Sequence, residues 1–230
     1  MERLEVELDR ARDLDVAALA DAIEAISFEC TRCGACCKAV ECGDGEDADS
    51  AHPEPHTATV FPDEVRRLQD AGDREYDWRD VARPMPFGLT DGQDGPEGET
   101  FEWALQTDVC GDCVFYEESD GQGACTVHED RPLICRTYPF SVALGGTSQP
   151  MGEAVDQEGL VRAHECEGLG RDISRADAED LAGALKERAV RELAEAIAVR
   201  DSYEPADPGP GEVVVHDSEG AKRPDGSPLE

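Results

Sequence analysis

Positive charge is scarce in this sequence, and lysine is almost absent. Among its 230 residues there are 54 acidic and 21 basic side chains, which give a formal net charge of −33 at pH 7. Lysine occurs only as Lys38, Lys186 and Lys222. Because a chain this acidic is repelled by the phosphate backbone of nucleic acids, we expect no direct binding to DNA or RNA.

The same charge indicates the solvent in which the protein works. The acidic residues are spread along the chain, and their mutual repulsion is relieved only when salt screens it. The composition resembles that of haloarchaeal proteins and predicts a halophilic, acidic protein. The alternative is an acidic face that binds a basic protein partner.

Long apolar runs are also missing. The N-terminus reads MERLEVELD and has no apolar segment of the kind found in secretory signals. No run approaches the length of a membrane span. We therefore expect a cytoplasmic protein without membrane contact, in a reducing compartment where ten cysteines are metal ligands more often than disulfides.

Aromatic residues are few at the two ends of the chain, since eleven of the twelve lie between positions 28 and 140. We expect the packed core there. Apolar residues recur every three or four positions near each end, which predicts amphipathic helices, while proline and acidic residues dominate the last stretch. The predicted segments are a helical segment (1–27), a cysteine-cluster metal-binding domain (28–170), a C-terminal helix (171–203) and a disordered acidic tail (204–230).

What the sequence does have is cysteine, with five of the ten within thirteen residues from Cys30 to Cys42. Cys30, Cys33 and Cys36 are spaced as in bacterial ferredoxin loops, and zinc sites use the same C-x-x-C. A helix would separate Cys30 from Cys36 by about 9 Å, whereas two thiolates on one metal lie within about 4 Å of each other. The segment must therefore curl, and Gly34 permits the positive φ that this requires.

The neighbouring pair Cys36 and Cys37 adds a constraint. In an extended or curled chain adjacent side chains point in different directions, so we expect one metal ion not to bind both. They could serve two metals, or bind different irons of one cluster, or one of them is not a ligand. The simpler alternative is that several cysteines are buried apolar residues or form disulfides.

A second group of cysteines comprises Cys110, Cys113, Cys125 and Cys135. A glycine-rich turn at 120–123 is predicted between two short strands. Pro132 and Pro139 favour extended conformations at the residues before them, so we expect a rigid, non-helical passage here. Arg131 and Arg136 flank Cys135, where they could bind the cofactor and offset the negative charge of a thiolate site; the alternative is ordinary salt bridges.

These motifs together resemble the YkgJ-type cysteine-cluster family. They read F-x-C-x-x-C-G-x-C-C, C-x-F, G-x-C-x-V-x-x-x-R-P-x-x-C-R-x-Y-P-F and a late C-x-G-x-G, over about residues 26–170. The family is described as a zinc- or iron-chelating domain, and a similar cluster occurs in flagellin lysine N-methylases. The resemblance excludes Cys42 and Cys110 and implies eight metal-binding cysteines: Cys30, Cys33, Cys36, Cys37, Cys113, Cys125, Cys135 and Cys166.

The resulting hypothesis is a cytoplasmic metal-binding protein that holds an iron–sulfur cluster or zinc, for electron transfer or metal handling. The expected fold class is α+β, a small irregular metal-centred domain with short strands and flanking amphipathic helices. One alternative is an accessory or catalytic component of a methylase-like modification enzyme, although no G-x-G-x-x-G cofactor loop is found. Another is a structural zinc module for partner binding. The sequence does not indicate which protein would be that partner.

The net charge of −33 predicts that the fold depends on salt. We expect secondary structure to be lost when KCl falls from molar concentration to about 0.1 M, because screening of the acidic residues is then reduced. Circular dichroism across a KCl series measures this. Sucrose added in place of KCl is the control, since it favours compact states without screening charge. Equal stability at both salt concentrations would contradict the halophilic interpretation.

Overall fold

The structure, a computed structural model, describes residues 3–39, 55–71, 75–120, 122–144, 154–156 and 159–229. The helices are α1 Leu4–Arg12, α2 Val16–Ile26, α3 Pro62–Gln69, α4 Trp78–Val81, α5 Leu133–Thr137 and α6 Arg175–Ser202. The strands are β1 Thr59–Val60, β2 Ala82–Pro84, β3 Leu89–Gly92, β4 Gly95–Thr100, β5 Trp103–Leu105, β6 Tyr116–Ser119, β7 Gln122–Cys125, β8 Phe140–Val142, β9 Ala154–Asp156, β10 Val161–His164, β11 Val213–Asp217 and β12 Gly220–Lys222. This mixture of helices with several small sheets confirms the α+β class.

The chain forms two compact units, and each is assembled from two separate stretches. Unit 1 consists of Met1–Cys33 and Leu133–Asp201, and unit 2 consists of Gly34–Pro132 and Ser202–Glu230. The predicted domain of residues 28–170 is therefore divided between the units. One division falls inside the first cysteine segment, between Cys33 and Gly34.

Unit 1 combines helices with a small antiparallel sheet in the order β8-β10-β9. Helices α1 and α2 lie within the segment where apolar periodicity predicts one or two helices. The buried core of this unit is mainly aliphatic, and Phe140 is its one fully buried aromatic ring among the described residues. The expectation of a core confined to positions 28–140 is therefore wrong, because leucine, isoleucine and alanine from α1, α2 and α6 are buried as completely as aromatic rings elsewhere.

Helix α6 is held in unit 1 by arginines. Ser174, with Asp177 three residues later, is a predicted N-cap. The cap is present, since the hydroxyl oxygen of Ser174 accepts the backbone N–H of Asp177 at 3.2 Å. Arg175 donates to Glu24 at 2.6 Å. The buried guanidinium of Arg188 donates to the Thr137 hydroxyl at 3.0 Å, and so ties α6 to the C-terminal end of α5.

Unit 2 contains a three-stranded sheet in the order β1-β5-β2, a four-stranded sheet in the order β12-β11-β4-β3, and the hairpin of β6 and β7. Strand β1 leads into α3 with Pro62 in the first helical turn, where proline is favoured because its missing N–H has no helical partner. The turn between Ser119 and Gln122 joins β6 to β7, which confirms the predicted glycine-rich turn between short strands.

The prediction of a disordered tail at 204–230 is wrong. Strand β11 pairs in parallel with β4 and antiparallel with β12. The tail also supplies a buried carboxylate, because Asp217 accepts the indole N–H of Trp103 at 2.8 Å and the ammonium of Lys222 at 2.8 Å. The run of valines at 213–215 outweighs the prolines and acidic residues around it, since it completes a sheet that β4 begins.

Apolar and polar residues alternate in the sequence TFEWAL (100–105), which predicts a strand with Phe101, Trp103 and Leu105 on one buried face. This prediction is correct for two residues of the three. Trp103 and Leu105 are buried in β5, whereas 46% of Phe101 is exposed. Phe101 lies between β4 and β5, outside both strands, and its ring stacks on His216 with centroids 5.5 Å apart. In the described part of the chain, no helix is both long and apolar enough to cross a membrane.

The buried carboxylate of Asp217 generates a stability prediction. Replacing it with alanine (Asp217→Ala) should lower the free energy of unfolding by about 3 kcal/mol, because the buried Lys222 ammonium and Trp103 indole lose a partner. Urea unfolding in molar KCl, followed by tryptophan fluorescence, measures the loss.

The matched control is Asp207→Ala, since Asp207 is exposed in the same tail. It should change the free energy of unfolding by less than about 0.5 kcal/mol. Equal urea midpoints for the two variants would contradict a stabilising role for the buried carboxylate of Asp217.

Candidate metal centre

The first cysteine segment curls as the spacing predicts. Gly34 has φ of +77° in the left-handed region, and the 3₁₀ turn Ala35–Cys37 follows it. The backbone N–H of Cys37 donates to the carbonyl of Gly34 at 2.8 Å and closes the turn. A Cβ on residue 34 would overlap the ring of Tyr116, so glycine is required here by both conformation and space.

The two neighbouring cysteines in this turn do not diverge. The sulfur atoms of Cys36 and Cys37 are 3.8 Å apart, which is about the separation of two thiolates on one tetrahedral zinc ion. The expectation that one ion would not take both came from extended geometry, in which adjacent side chains alternate. In this 3₁₀ turn the two side chains instead bring their sulfur atoms close together.

Two further cysteines of unit 2 lie beside this turn. The backbone N–H of Cys113 donates to the carbonyl of Cys37 at 2.8 Å. Cys125 is the last residue of β7 and pairs with Tyr116, the residue whose ring covers Gly34. The hairpin and this single backbone bond therefore collect Cys36, Cys37, Cys113 and Cys125.

The electrostatics of these thiols show that they are close enough to influence one another. The hydrogen bond with Cys37 raises the pKa of Cys36, a residue that is itself exposed to solvent. Burial raises the pKa of Cys113 to about 11, with smaller contributions from the charges of Cys125 and Cys36. Burial likewise raises the pKa of Cys125. Without a metal these groups are thiols, and a bound metal would replace their protons.

Arg131 is the cation of this group. Its positive charge lowers the pKa of both Cys36 and Cys125, against the other influences that raise them. The Arg131 side chain is oriented by a hydrogen bond from Nε to the carbonyl of His128 at 3.0 Å. Its backbone is extended, with φ of −50° and ψ of 137°, as expected before Pro132. Arg136 belongs to unit 1, where it is exposed in the last turn of α5.

Four predicted ligands, Cys30, Cys33, Cys135 and Cys166, belong to unit 1. A short antiparallel contact joins the chain before Cys30 to the chain after Cys166, with an isolated bridge between Phe28 and Leu169. The backbone N–H of Glu29 donates to the carbonyl of Gly168 at 3.1 Å. These bonds place Cys30 beside the turn that begins at Cys166.

The turn after Cys166 points a donor at the sulfur. The backbone N–H of Gly168 lies 3.4 Å from Cys166 Sγ, and donors of this kind stabilise a thiolate. A Cβ at residue 168 would overlap the carbonyl oxygen of Glu29. The glycine of the late C-x-G-x-G motif is therefore needed for the close approach of the two chain segments.

Cys135 lies on α5, so the predicted non-helical passage is wrong at this point. Pro132 forces only the residue before it into an extended conformation. Proline is compatible with the start of a helix, so it does not prevent α5 from beginning at the next residue. Beyond α5, the hydroxyl of Tyr138 donates to the carbonyl of Glu165. This contact brings the end of α5 next to Cys166 in unit 1.

The arrangement is not yet that of a loaded metal site. Among the described residues, no three His, Cys, Asp or Glu side chains already meet at metal-binding geometry. Rotation about χ1 moves each sulfur between staggered positions, so the backbone contacts define which thiols are neighbours. The donor set itself, thiolates with a guanidinium nearby, fits zinc or iron–sulfur chemistry.

The remaining candidates have different surroundings. Cys42 and His52 lie outside the described residues. Cys110 is exposed. The loop at 41–56 is rich in glycine and acidic residues, which predicts that His56 is solvated. His56 is instead half-buried, and burial lowers its pKa to about 4.

Sequence reasoning missed Tyr116, whose ring covers Gly34 while its hydroxyl donates to Glu118 at 2.7 Å. Lys38 lies 5.2 Å from the centre of the same ring. A local pattern gives no sign of these contacts, because they depend on the pairing of β6 with β7.

A comparison with protein-family models now identifies the chain. The model described as "CxxCxxCC: Putative zinc- or iron-chelating domain" matches residues 29–167. The chain belongs to this family. Membership supports metal binding as its general function, with zinc and iron as the named alternatives. No curated protein and no solved structure matches the chain.

The packing at Gly34 generates a prediction for this turn. Gly34→Ala should lower both the thermal midpoint and the amount of metal retained, because a Cβ there meets the Tyr116 ring and φ of +77° strains any L-residue. The conformational strain alone costs about 1–2 kcal/mol. Differential scanning calorimetry and metal analysis of the purified variant measure the two effects.

The control is the same substitution in α6, at Gly183, where a Cβ meets no atom within 4 Å. Gly183→Ala should raise stability by about 1 kcal/mol, since alanine is the better helix former. A Gly34→Ala variant that resembled Gly183→Ala would mean that the curl is not required.

Proposed function

We propose that the protein is a thiolate metal carrier or electron carrier in which eight cysteines hold zinc or an iron–sulfur cluster. The observation that carries this proposal is the 3.8 Å separation of the Cys36 and Cys37 sulfurs in unit 2, beside the backbone bond that joins Cys113 to Cys37. The family membership agrees with it. The ligands are Cys30, Cys33, Cys36, Cys37, Cys113, Cys125, Cys135 and Cys166.

The number of thiolates argues for a closed site. A catalytic zinc keeps one coordination position for water or substrate, whereas a structural zinc is filled by four protein ligands. Eight thiolates are enough to fill two such sites or to hold two four-iron clusters. A metal whose coordination positions are all occupied by cysteines is suited to electron transfer, metal storage or a structural role rather than to metal-assisted hydrolysis.

Arg131 supports the proposal through charge. Four thiolates around one zinc ion carry a net charge of −2, and this charge is costly in a poorly solvated place. The Arg131 guanidinium already acts on two of the sulfurs in unit 2. We assign Arg131 and Arg136 the role of offsetting negative charge, Arg131 at the unit 2 cysteines and Arg136 near Cys135 on α5.

The proposed setting is a reducing, salt-rich cytoplasm. No disulfide joins the nine cysteines that the structure describes, and thiolate metal sites persist where disulfides do not form. Anaerobic purification from such a setting, followed by metal analysis and an absorption spectrum, tests the function directly. Iron–sulfur clusters absorb in the visible range, whereas zinc does not.

We predict that removal of the metal unfolds much of the chain. Ligands scattered from Cys30 to Cys166 make part of the folding free energy depend on metal binding. A chelator under reducing conditions should therefore lower the thermal midpoint and reduce the helical circular dichroism signal. The control is the same chelator saturated with zinc beforehand. A metal-free protein with an unchanged spectrum and midpoint would contradict a structural role for the metal.

A further inference from the structure

We infer that the eight cysteines form two separate four-thiolate sites, one built within each unit. Site A contains Cys36, Cys37, Cys113 and Cys125, all in unit 2, and site B contains Cys30, Cys33, Cys135 and Cys166, all in unit 1. The inference rests on the proposed function, because it concerns how the same ligands are shared.

The boundary between the two units divides the eight cysteines equally. One division of the chain falls between Cys33 and Gly34, and another falls between Pro132 and Leu133. These two points cut the C-x-x-C-x-x-C-C segment and the R-P-x-x-C segment in the middle. Each unit receives four of the eight cysteines, which is the number that one tetrahedral thiolate site requires.

The contacts that join the cysteines of site A are formed by residues of unit 2. The backbone N–H of Cys113 donates to the carbonyl of Cys37, and the sulfur of Cys37 is 3.8 Å from that of Cys36. Cys125 pairs in the hairpin with Tyr116, whose ring covers Gly34 at the start of the same turn. These contacts bring the four cysteines of unit 2 into one neighbourhood.

The spacing of the adjacent pair also selects the kind of centre in site A. Two thiolates about 3.8 Å apart share one tetrahedral ion at about 2.3 Å from each. Ligands of an iron–sulfur cluster bind different irons and need not approach each other so closely. Site A therefore fits a single zinc ion, with Arg131 reducing the net charge of the four thiolates.

Contacts within unit 1 join the segments that carry the cysteines of site B. The pairing of Phe28 with Leu169 and the bond from Glu29 to Gly168 place Cys30 beside Cys166. The contact from Tyr138 to Glu165 places the end of α5, which carries Cys135, at the same turn. Cys33 is three residues beyond Cys30 in a C-x-x-C, which is a common spacing for two ligands of one metal.

The experiment is to count metal in single cysteine variants of the full chain. We expect two metal centres per wild-type chain by native mass spectrometry in an ammonium acetate buffer of high ionic strength. Cys125→Ser should leave one centre, that of site B, and Cys135→Ser should leave one centre, that of site A. The control Cys110→Ser, at an exposed cysteine outside both sites, should keep both.

Three outcomes overturn the inference: a single centre in the wild type, loss of all metal in either variant, or loss of a centre in Cys110→Ser. A wild-type chain purified anaerobically with no metal at all would instead contradict the proposed function, so the two failures are distinguishable.

A measurement on the wild type covers the case in which a serine variant does not fold. Cadmium-113 NMR of the cadmium-loaded full chain reports one resonance per metal environment. Two resonances in the range of four-thiolate coordination support the two sites. One resonance, with one cadmium per chain, overturns them.

Discussion

The candidate site in unit 2 depends on one backbone hydrogen bond, from the N–H of Cys113 to the carbonyl of Cys37. The bond joins two cysteine motifs that are distant in the chain. Gly34 supports this arrangement, because its positive φ begins the 3₁₀ turn that ends at Cys37. The hairpin of β6 and β7 then adds Cys125, and the Tyr116 ring fills the space that a side chain at position 34 would need.

Each of the three lysines makes a specific contact with an acidic side chain or a backbone carbonyl. Lys38 pairs with Glu118 next to the cysteine turn, and Lys222 pairs with the buried Asp217. Lys186 donates to the backbone carbonyl of Leu14 in unit 1 at 2.7 Å. In a chain with 54 acidic residues, positive charge is kept where it makes a contact inside a unit. Arginine also links distant parts of the chain, as in the pairs Arg175 with Glu24 and Arg200 with Glu5.

Local chemistry was predictable from the sequence, and long-range pairing was not. The conformation of Gly34, the N-cap of α6 and the start of α3 at Pro62 each follow from a few neighbouring residues. The structured tail could not be predicted in this way, because the valines of β11 gain their stability from β4, a strand far earlier in the chain. The same holds for Tyr116, whose role at Gly34 depends on the hairpin.

The connectivity of the two units has a consequence for the order in which the protein is made. The chain leaves unit 1 after Cys33, returns to it at Leu133, and leaves it again after Asp201. On the ribosome the N-terminal helices are therefore synthesised long before their partners in α6, and unit 2 lacks β11 until the chain is nearly finished. Because each unit consists of two separate stretches of the chain, a single proteolytic cut could not release either unit as one fragment. Contacts between residues so distant in sequence slow folding, so the early cysteines are synthesised long before the segments that complete their units.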